Sequence, residues 1–250
     1  MNQELIPPEQ IRVCVGPFKD SARYVEWGRH TFQRLVGLGG MSPHDAILDL
    51  GCGCGRIAIH IADHLLPAGR YDGLDDSPEL IKWCHDNLDG RWPNVEFHFC
   101  DVQSKYENPS GAIKATDYRF PFPDNSFTFV FAESLFTHMF LDDSKAYLRE
   151  ANRVLKPGGR LYATYLLLNE ESRKGIASGK AFRDFRFQFG DSLAFDKDSP
   201  ENGLAHPEED IRRVYEALGL QISETEYGNW PEGEGIFPSP FQDTIVAVKS

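Results

Sequence analysis

The sequence predicts an α/β fold, doubly wound around a mostly parallel sheet, and three observations predict it. An apolar run, Ile47-Leu48-Asp49-Leu50, is followed by glycines alternating at Gly51, Gly53 and Gly55. Helical spacing then continues through Ile57, Ile59, Ile61, Ala62 and Leu65, so strand, glycine turn and helix come in one stretch. A second strand pattern, from Arg70, closes on the acids Asp75 and Asp76 just before a helix start at Ser77-Pro78. Strand and helix patterns keep alternating through the middle of the chain, as a βαβ architecture requires.

Each element has its own local reason. Residues 1–20, broken by Pro7-Pro8 and Gly16-Pro17, read as an irregular arm, and the spacing of Tyr24, Trp27, Phe32, Leu35 and Val36 predicts a helix up to Gly37. The first strand and its helix follow, the helix ending near Leu66-Pro67. In the next helix Ser77 is the N-cap, Pro78 takes N1, and Leu80, Ile81, Cys84 and Leu88 form the apolar face. Val95 to Phe99 alternates as a third strand ending at Cys100-Asp101-Val102. Residues 103–119 are longer and more polar than a minimal connection and read as an insertion. Phe127 to Phe131 makes a fourth strand running into Ala132 and Glu133, and Lys145 to Leu155 a helix stopped by Lys156-Pro157-Gly158-Gly159. Leu161 to Leu168 starts as a fifth strand. Phe182 to Phe189 interleaves aromatics with Arg183 and Arg186, which suits a ligand-stacking surface or a strand with one solvated face. A helix from His206-Pro207 to Leu218, capped by Gly219, precedes two closing strands, Leu220 to Tyr227 and Asp243 to Val248.

Composition bounds the function. With 250 residues the chain has room for one large α/β domain. Its 38 acids against 26 bases give a net charge of −12, which disfavours a surface built to neutralise phosphates, so no nucleic-acid partner is expected. No apolar run long enough for a membrane span occurs, and Met1-Asn2-Gln3-Glu4 opens no signal peptide. The five cysteines do not frame a disulfide scaffold, so a cytoplasmic setting is expected. Cys52-x-Cys54 lacks zinc-type spacing and no second pair exists, so no metal is expected. No Gly-x-Ser-x-Gly elbow supports a hydrolase.

The spacing of the glycine turn is the sharpest signal. A dinucleotide fingerprint wants Gly-x-Gly-x-x-Gly, but here the third glycine comes one residue early and Arg56 stands in the expected place. Asp49, two residues before Gly51, would repel a pyrophosphate and suit a cationic ligand. Asp75 lies twenty residues beyond Gly55, where a carboxylate accepts from ribose hydroxyls in nucleotide-binding βαβ units.

Asp49 to Gly55 closely resembles the Asp-x-Gly-x-Gly-x-Gly motif of the class I S-adenosylmethionine-dependent methyltransferases. Pro121 to Thr128 and Leu155 to Gly159 are similar to two further segments of that family, Thr128 replacing its usual acid. The resemblance covers roughly Tyr24 to Leu168 by motif and the remainder by element order. It implies a Rossmann-like, seven-stranded sheet whose last strand is antiparallel, within one domain spanning 1–250. That domain would comprise an N-terminal arm and lid helix (1–44), a cofactor-binding core (45–168), a substrate-side insertion (169–206) and a C-terminal helix and strands (207–250).

It also implies S-adenosyl-L-methionine as cofactor. Gly51, Cys52, Gly53 and Gly55 would admit its methionine end with Asp49 positioning it, Asp75 would hold the ribose, and Asp101 with Val102 the adenine. Asp76 joins this set, although a turn acid reads as well, and Ala132 and Tyr24 complete it, Tyr24 as a lid residue with Trp27 and His30, or simply as packing. His138 is the candidate general base and Glu133 the second, with a structural His138 equally open. The activity implied is methyl transfer to an O, N or C nucleophile of a small-molecule, sugar or lipid-linked acceptor. A non-catalytic cofactor-binding protein and an NAD-dependent oxidoreductase are the alternatives. The sequence assigns no oligomeric state.

Overall fold

Ala46–Leu50 forms the first strand, β1, buried over its last four residues. The computed structural model describes residues 5–105, 107–233 and 240–250. By internal contacts the chain divides into two compact units, Met1–Lys114 with Phe127–Phe131, and Ala115–Ser126 with Ala132–Ser250.

The first unit begins with a short helix, α1 (Glu9–Arg12), a 3₁₀ turn at Val13–Val15 and a long helix, α2 (Ser21–Gly37), whose N-cap Asp20 accepts from the Arg23 N–H. The arm is therefore ordered rather than irregular. The buried Arg12 guanidinium donates to three backbone carbonyls, Pro7 (2.7 Å), Phe18 (3.0 Å) and Lys19 (2.5 Å), and ties the arm into a hook. After β1 come α3 (Ala58–Ala62), β2 (Arg70–Asp75), α4 (Pro78–Asn87), β3 (Val95–Phe99) and β4 (Phe127–Ala132). β1 pairs in parallel with both β2 and β4, and β2 with β3. β1 and β2 are buried on both faces, β1 as a mostly apolar run with Asp49 inside it and β2 with buried Asp72 and Asp75, whereas β3 at the edge alternates. The cap and Pro78 of α4 stand where its sequence puts them. α3 is much shorter than its periodicity suggests, because the chain stays in turns through Ile57 and Asp63 begins the exit.

The second unit holds α5 (Leu141–Val154), β5 (Leu155–Tyr165), β6 (Leu167–Leu168), α6 (Glu170–Ala177), β7 (Phe187–Phe189), β8 (Ser192–Ala194), β9 (Leu204–Pro207), α7 (Glu208–Ala217), β10 (Leu220–Glu226) and β11 (Asp243–Lys249). The main sheet has seven strands in the order β10-β11-β5-β4-β1-β2-β3. The last strand, β11, is antiparallel to both β5 and β10, so the Rossmann-like, mostly parallel sheet has its one reversed strand where the family resemblance placed it.

Three expectations are corrected in this unit. Leu161 to Leu168 is not one strand: the Leu167 N–H donates to the Asp243 carboxylate (2.6 Å) and the Leu166 carbonyl accepts from His206, which takes the chain out of the main sheet. It enters a second sheet, β6-β9-β8-β7, that the sequence did not announce. His206-Pro207 accordingly ends a strand, and the helix expected to start there begins at Glu208 with Pro207 as its N-cap. Phe182 to Phe189 is a strand only over its last three residues. Phe185 is fully buried against Trp230 (5.4 Å between ring centroids) and Phe195 (5.5 Å), while Arg183 and Arg186 are exposed. Asp243 anchors this region, accepting also from the Trp230 indole (2.8 Å) and the Gly228 N–H (2.8 Å), and burial pushes its carboxyl up to about 6. Among the described residues, no helix is long and apolar enough to cross a membrane.

Candidate functional site

Gly51, Gly53 and Gly55 all adopt positive φ, at 79°, 55° and 77°, so the turn after β1 is of a kind that side chains rarely allow. A Cβ on Gly53 would stand 2.7 Å from Val15 Cγ1, and one on Gly55 2.6 Å from Leu88 Cδ1. The turn is thus packed from both sides by the arm and by the end of α4. Its amides are largely committed: Gly51 and Cys52 donate to the Leu74 carbonyl (2.8 and 3.2 Å), and Gly53 donates to the Asp75 carboxylate (2.7 Å). With α3 only five residues long, helix-dipole support for a ligand is small, and the backbone shape of the turn matters more.

Asp75 ends β2 and is 8% exposed. Its Oδ2 accepts from Gly53 and its Oδ1 from the Ser77 N–H (2.9 Å). Burial and the neighbouring Asp76 charge push its carboxyl up to about 7, against the two amide donors, which pull it down. Asp76 is half-buried, its carboxyl raised by burial and partly relieved by a hydrogen bond with Ser104. Asp49 is almost fully buried, and its Oδ2 accepts from the Tyr71 hydroxyl at 2.7 Å. Tyr71 was not singled out in the sequence. The only hint was its place two residues into a strand that lies in register beside Ile47.

Asp101 is exposed at the end of β3, and its Oδ1 accepts from the buried Asn108 amide at 3.1 Å. Val102 is buried and bridges Ile113. Part of the 103–119 insertion therefore braces the acid and the apolar residue assigned to the adenine. Cys52 is buried and its thiol pushed well up by burial, which makes it packing material and not a nucleophile. Tyr24 is fully buried, shares a 3.3 Å hydrogen bond with the Cys54 thiol and meets Phe18 edge-on (5.8 Å). Trp27 packs on Phe18 as well (6.1 Å), and Arg56 lies over the same ring (5.0 Å). Gly28 lets α2 come this close, since a Cβ there would lie 2.5 Å from the Arg56 carbonyl oxygen.

In the second unit Ala132 is fully buried and Glu133 half-buried. His138 closes a 3₁₀ turn, Phe136–His138, and keeps part of its surface in solvent. Its Nδ1 lies 2.7 Å from the Glu201 carbonyl, and because a carbonyl only accepts, Nδ1 carries the proton and Nε2 the lone pair. Close packing around the ring lowers its pKa below the ordinary histidine value, which keeps it neutral at pH 7. Ser134, also missed in the sequence, holds a φ of 62°: its N–H donates to Thr164 Oγ1 (2.7 Å) and its hydroxyl accepts from Gln242 (2.8 Å). Such conformations persist only where several contacts fix them.

A family model described as a methyltransferase domain matches residues 48–163. A demethylmenaquinone methyltransferase of Listeria monocytogenes is 31% identical over 138 residues, 55% of this chain and 50% of its own. A malonyl-(acyl-carrier protein) O-methyltransferase of Hahella chejuensis is 30% identical over 151 residues, 57% of this chain and 46% of its own. The chain spans about half the length of the relatives it matches. A crystal structure of a SAM-dependent methyltransferase from Aquifex aeolicus covers 98% of this chain and 99% of its own, at a TM-score of 0.58 and 16% identity, a likeness of fold. Residues 48–163 match a methyltransferase domain, and motif order, sheet topology and these matches make the chain similar to the class I S-adenosylmethionine-dependent methyltransferases.

Proposed function

We propose that this protein transfers a methyl group from S-adenosylmethionine to an O, N or C nucleophile of a small-molecule, sugar or lipid-linked acceptor. The observation that carries the reading is the contact of Asp75 with Gly53, which sets a ribose-type carboxylate at the rim of a turn made of three positive-φ glycines. The residues fit the cofactor. The glycine backbone leaves no Cβ at the turn, Asp75 accepts hydrogen bonds there, and Asp49 and Asp75 supply negative charge for an ammonium and a sulfonium. Bound there, the sulfonium supplies an electrophilic methyl and a neutral leaving group.

What the chain contributes is alignment and proton removal. Asp75 holds the ribose hydroxyls, with Asp76 beside it. Asp49, Gly51, Cys52, Gly53 and Gly55 shape the methionine end and Asp101 and Val102 the adenine end, Ala132 joins the cofactor set, and Tyr24 packs the lid helix onto the turn. His138 takes the acceptor's proton at Nε2, with Glu133 the second candidate. The net charge of −12 supports an acceptor other than nucleic acid. Two relatives, named for demethylmenaquinone and for a malonyl-acyl-carrier substrate, support a small or carrier-linked one. We place the protein in the cytoplasm, in keeping with five free thiols.

Calorimetric titration with S-adenosylmethionine, S-adenosylhomocysteine and NAD, on wild type and Asp75→Ala, tests the reading. The first two should bind and NAD should not, with a marked loss in the variant. NAD binding, or binding of no ligand, would overturn it. Tight binding with no methyl transfer to any acceptor pool would leave a non-catalytic cofactor-binding protein.

A further inference from the structure

At the edge of the sheet, away from the glycine turn, β2 and β3 lie in register with Asp72 beside Glu96. Glu96 and His98 are two residues apart on one strand and so share a face. On that face His98 Nε2 is 2.9 Å from Asp72 Oδ1 and 3.9 Å from Glu96 Oε2. One ligand atom from each of the three residues lies within 4.8 Å of the others. Among the described residues this is the one cluster of three or more potential ligand groups that close.

The donors suit a metal ion. Two carboxylates and an imidazole are a common set for zinc and its first-row neighbours. Around a tetrahedral ion at about 2.0–2.1 Å from each donor, ligand atoms stand about 3.3 Å apart, between the two separations seen here. The 3.9 Å gap from Glu96 to the ring is too long for a hydrogen bond and short enough for a shared ion. Asp72 is held from behind, its other oxygen paired with the Arg70 guanidinium, which itself lies over the Phe127 ring at 4.4 Å. A carboxylate oriented in this way is the outer-shell arrangement that metal ligands usually show. The side chains are 7% (Asp72), 27% (His98) and 73% (Glu96) exposed, so the site is rooted in the sheet and open on one side. With Arg70 counted, two carboxylates and one cation leave a net negative charge to attract the ion.

We propose that Asp72, Glu96 and His98 bind a divalent transition-metal ion, zinc fitting best, as a clip between β2 and the edge strand β3. Water fills the open coordination position. The clip leaves the cofactor residues untouched, and it stands whether or not the methyl-transfer reading does.

The test uses full-length, untagged protein stripped of metal, titrated with zinc chloride and separately with magnesium chloride, for wild type, His98→Ala and Glu96→Gln. Wild type should bind a single zinc ion and no magnesium. His98→Ala should weaken zinc by at least roughly tenfold, Glu96→Gln by a smaller factor, and zinc should raise the melting temperature of wild type most and of His98→Ala least. Glu96 is exposed, so its variant keeps the fold. Cobalt substitution should give a spectrum without a thiolate charge-transfer band. Absence of zinc binding, equal binding in all three proteins, or a thiolate band from the buried cysteines would overturn the proposal.

Discussion

The Asp75 carboxylate and the Gly53 amide, 2.7 Å apart, join the end of β2 to the middle of the glycine turn. The residue assigned to the ribose thereby also holds the loop assigned to the methionine end. Its carboxyl is raised to about 7, above the ordinary 3.8, so folding favours the protonated form. In the unliganded protein that contribution to stability is complete below about pH 4 and is lost as the pH rises through 7. Cofactor binding has the opposite sign, because ribose hydroxyls and a sulfonium both prefer the carboxylate. Affinity should rise with pH up to about 8 and fall by up to about tenfold per unit below 7, with proton release in calorimetry. Asp75→Asn should flatten the profile, and an unchanged slope in that variant would remove Asp75 from the linkage.

Gly55→Ala should destabilise the protein by about 2–4 kcal/mol. Positive φ costs an L-residue about 1–2 kcal/mol, and the new methyl meets Leu88 Cδ1 at 2.6 Å in a packed core. Urea denaturation measures this directly, and a loss below about 0.5 kcal/mol would mean that the turn relaxes freely.

Tyr71→Phe removes the hydroxyl that donates to Asp49 and leaves that oxygen buried without this donor. The expected cost is about 1–3 kcal/mol, together with weaker cofactor binding as Asp49 shifts. Stability lost with affinity untouched would assign the pair to the core alone.

His138 should govern the acidic limb of the pH–rate profile. With its pKa lowered, kcat should climb to a plateau through a pH below the ordinary 6.5, since the neutral ring is the base. His138→Ala should lower kcat by about 10²–10⁴-fold, abolish that limb and leave S-adenosylhomocysteine affinity intact. Unchanged turnover across pH would reduce His138 to a structural hydrogen-bond donor to Glu201.

Asn108→Ala should free Asp101, whose carboxylate it holds at 3.1 Å. Adenine-dependent binding should weaken by about 1 kcal/mol, seen as a several-fold higher Kd for S-adenosylhomocysteine with little change for methionine. Equal effects on both ligands would point to general loosening of the insertion.

By itself the sequence determined the strands of the parallel core, the glycine turn, the Ser77-Pro78 helix start, the acids at the ends of β2 and β3, and the reversed last strand through family resemblance. Those signals are local: apolar runs, caps and residues that positive φ demands. Only the tertiary structure decided which partner each buried polar group takes. Tyr71 finds Asp49 across a strand pair, Asn108 reaches back to Asp101, and Arg12 folds an arm that composition read as irregular. Asp243 takes the Leu167 amide and splits a strand that looked continuous, opening a second sheet. His98 meets Asp72 across 26 positions of sequence. A side chain removed from water must be satisfied by whatever the fold brings beside it, and periodicity along the chain carries no record of that neighbour.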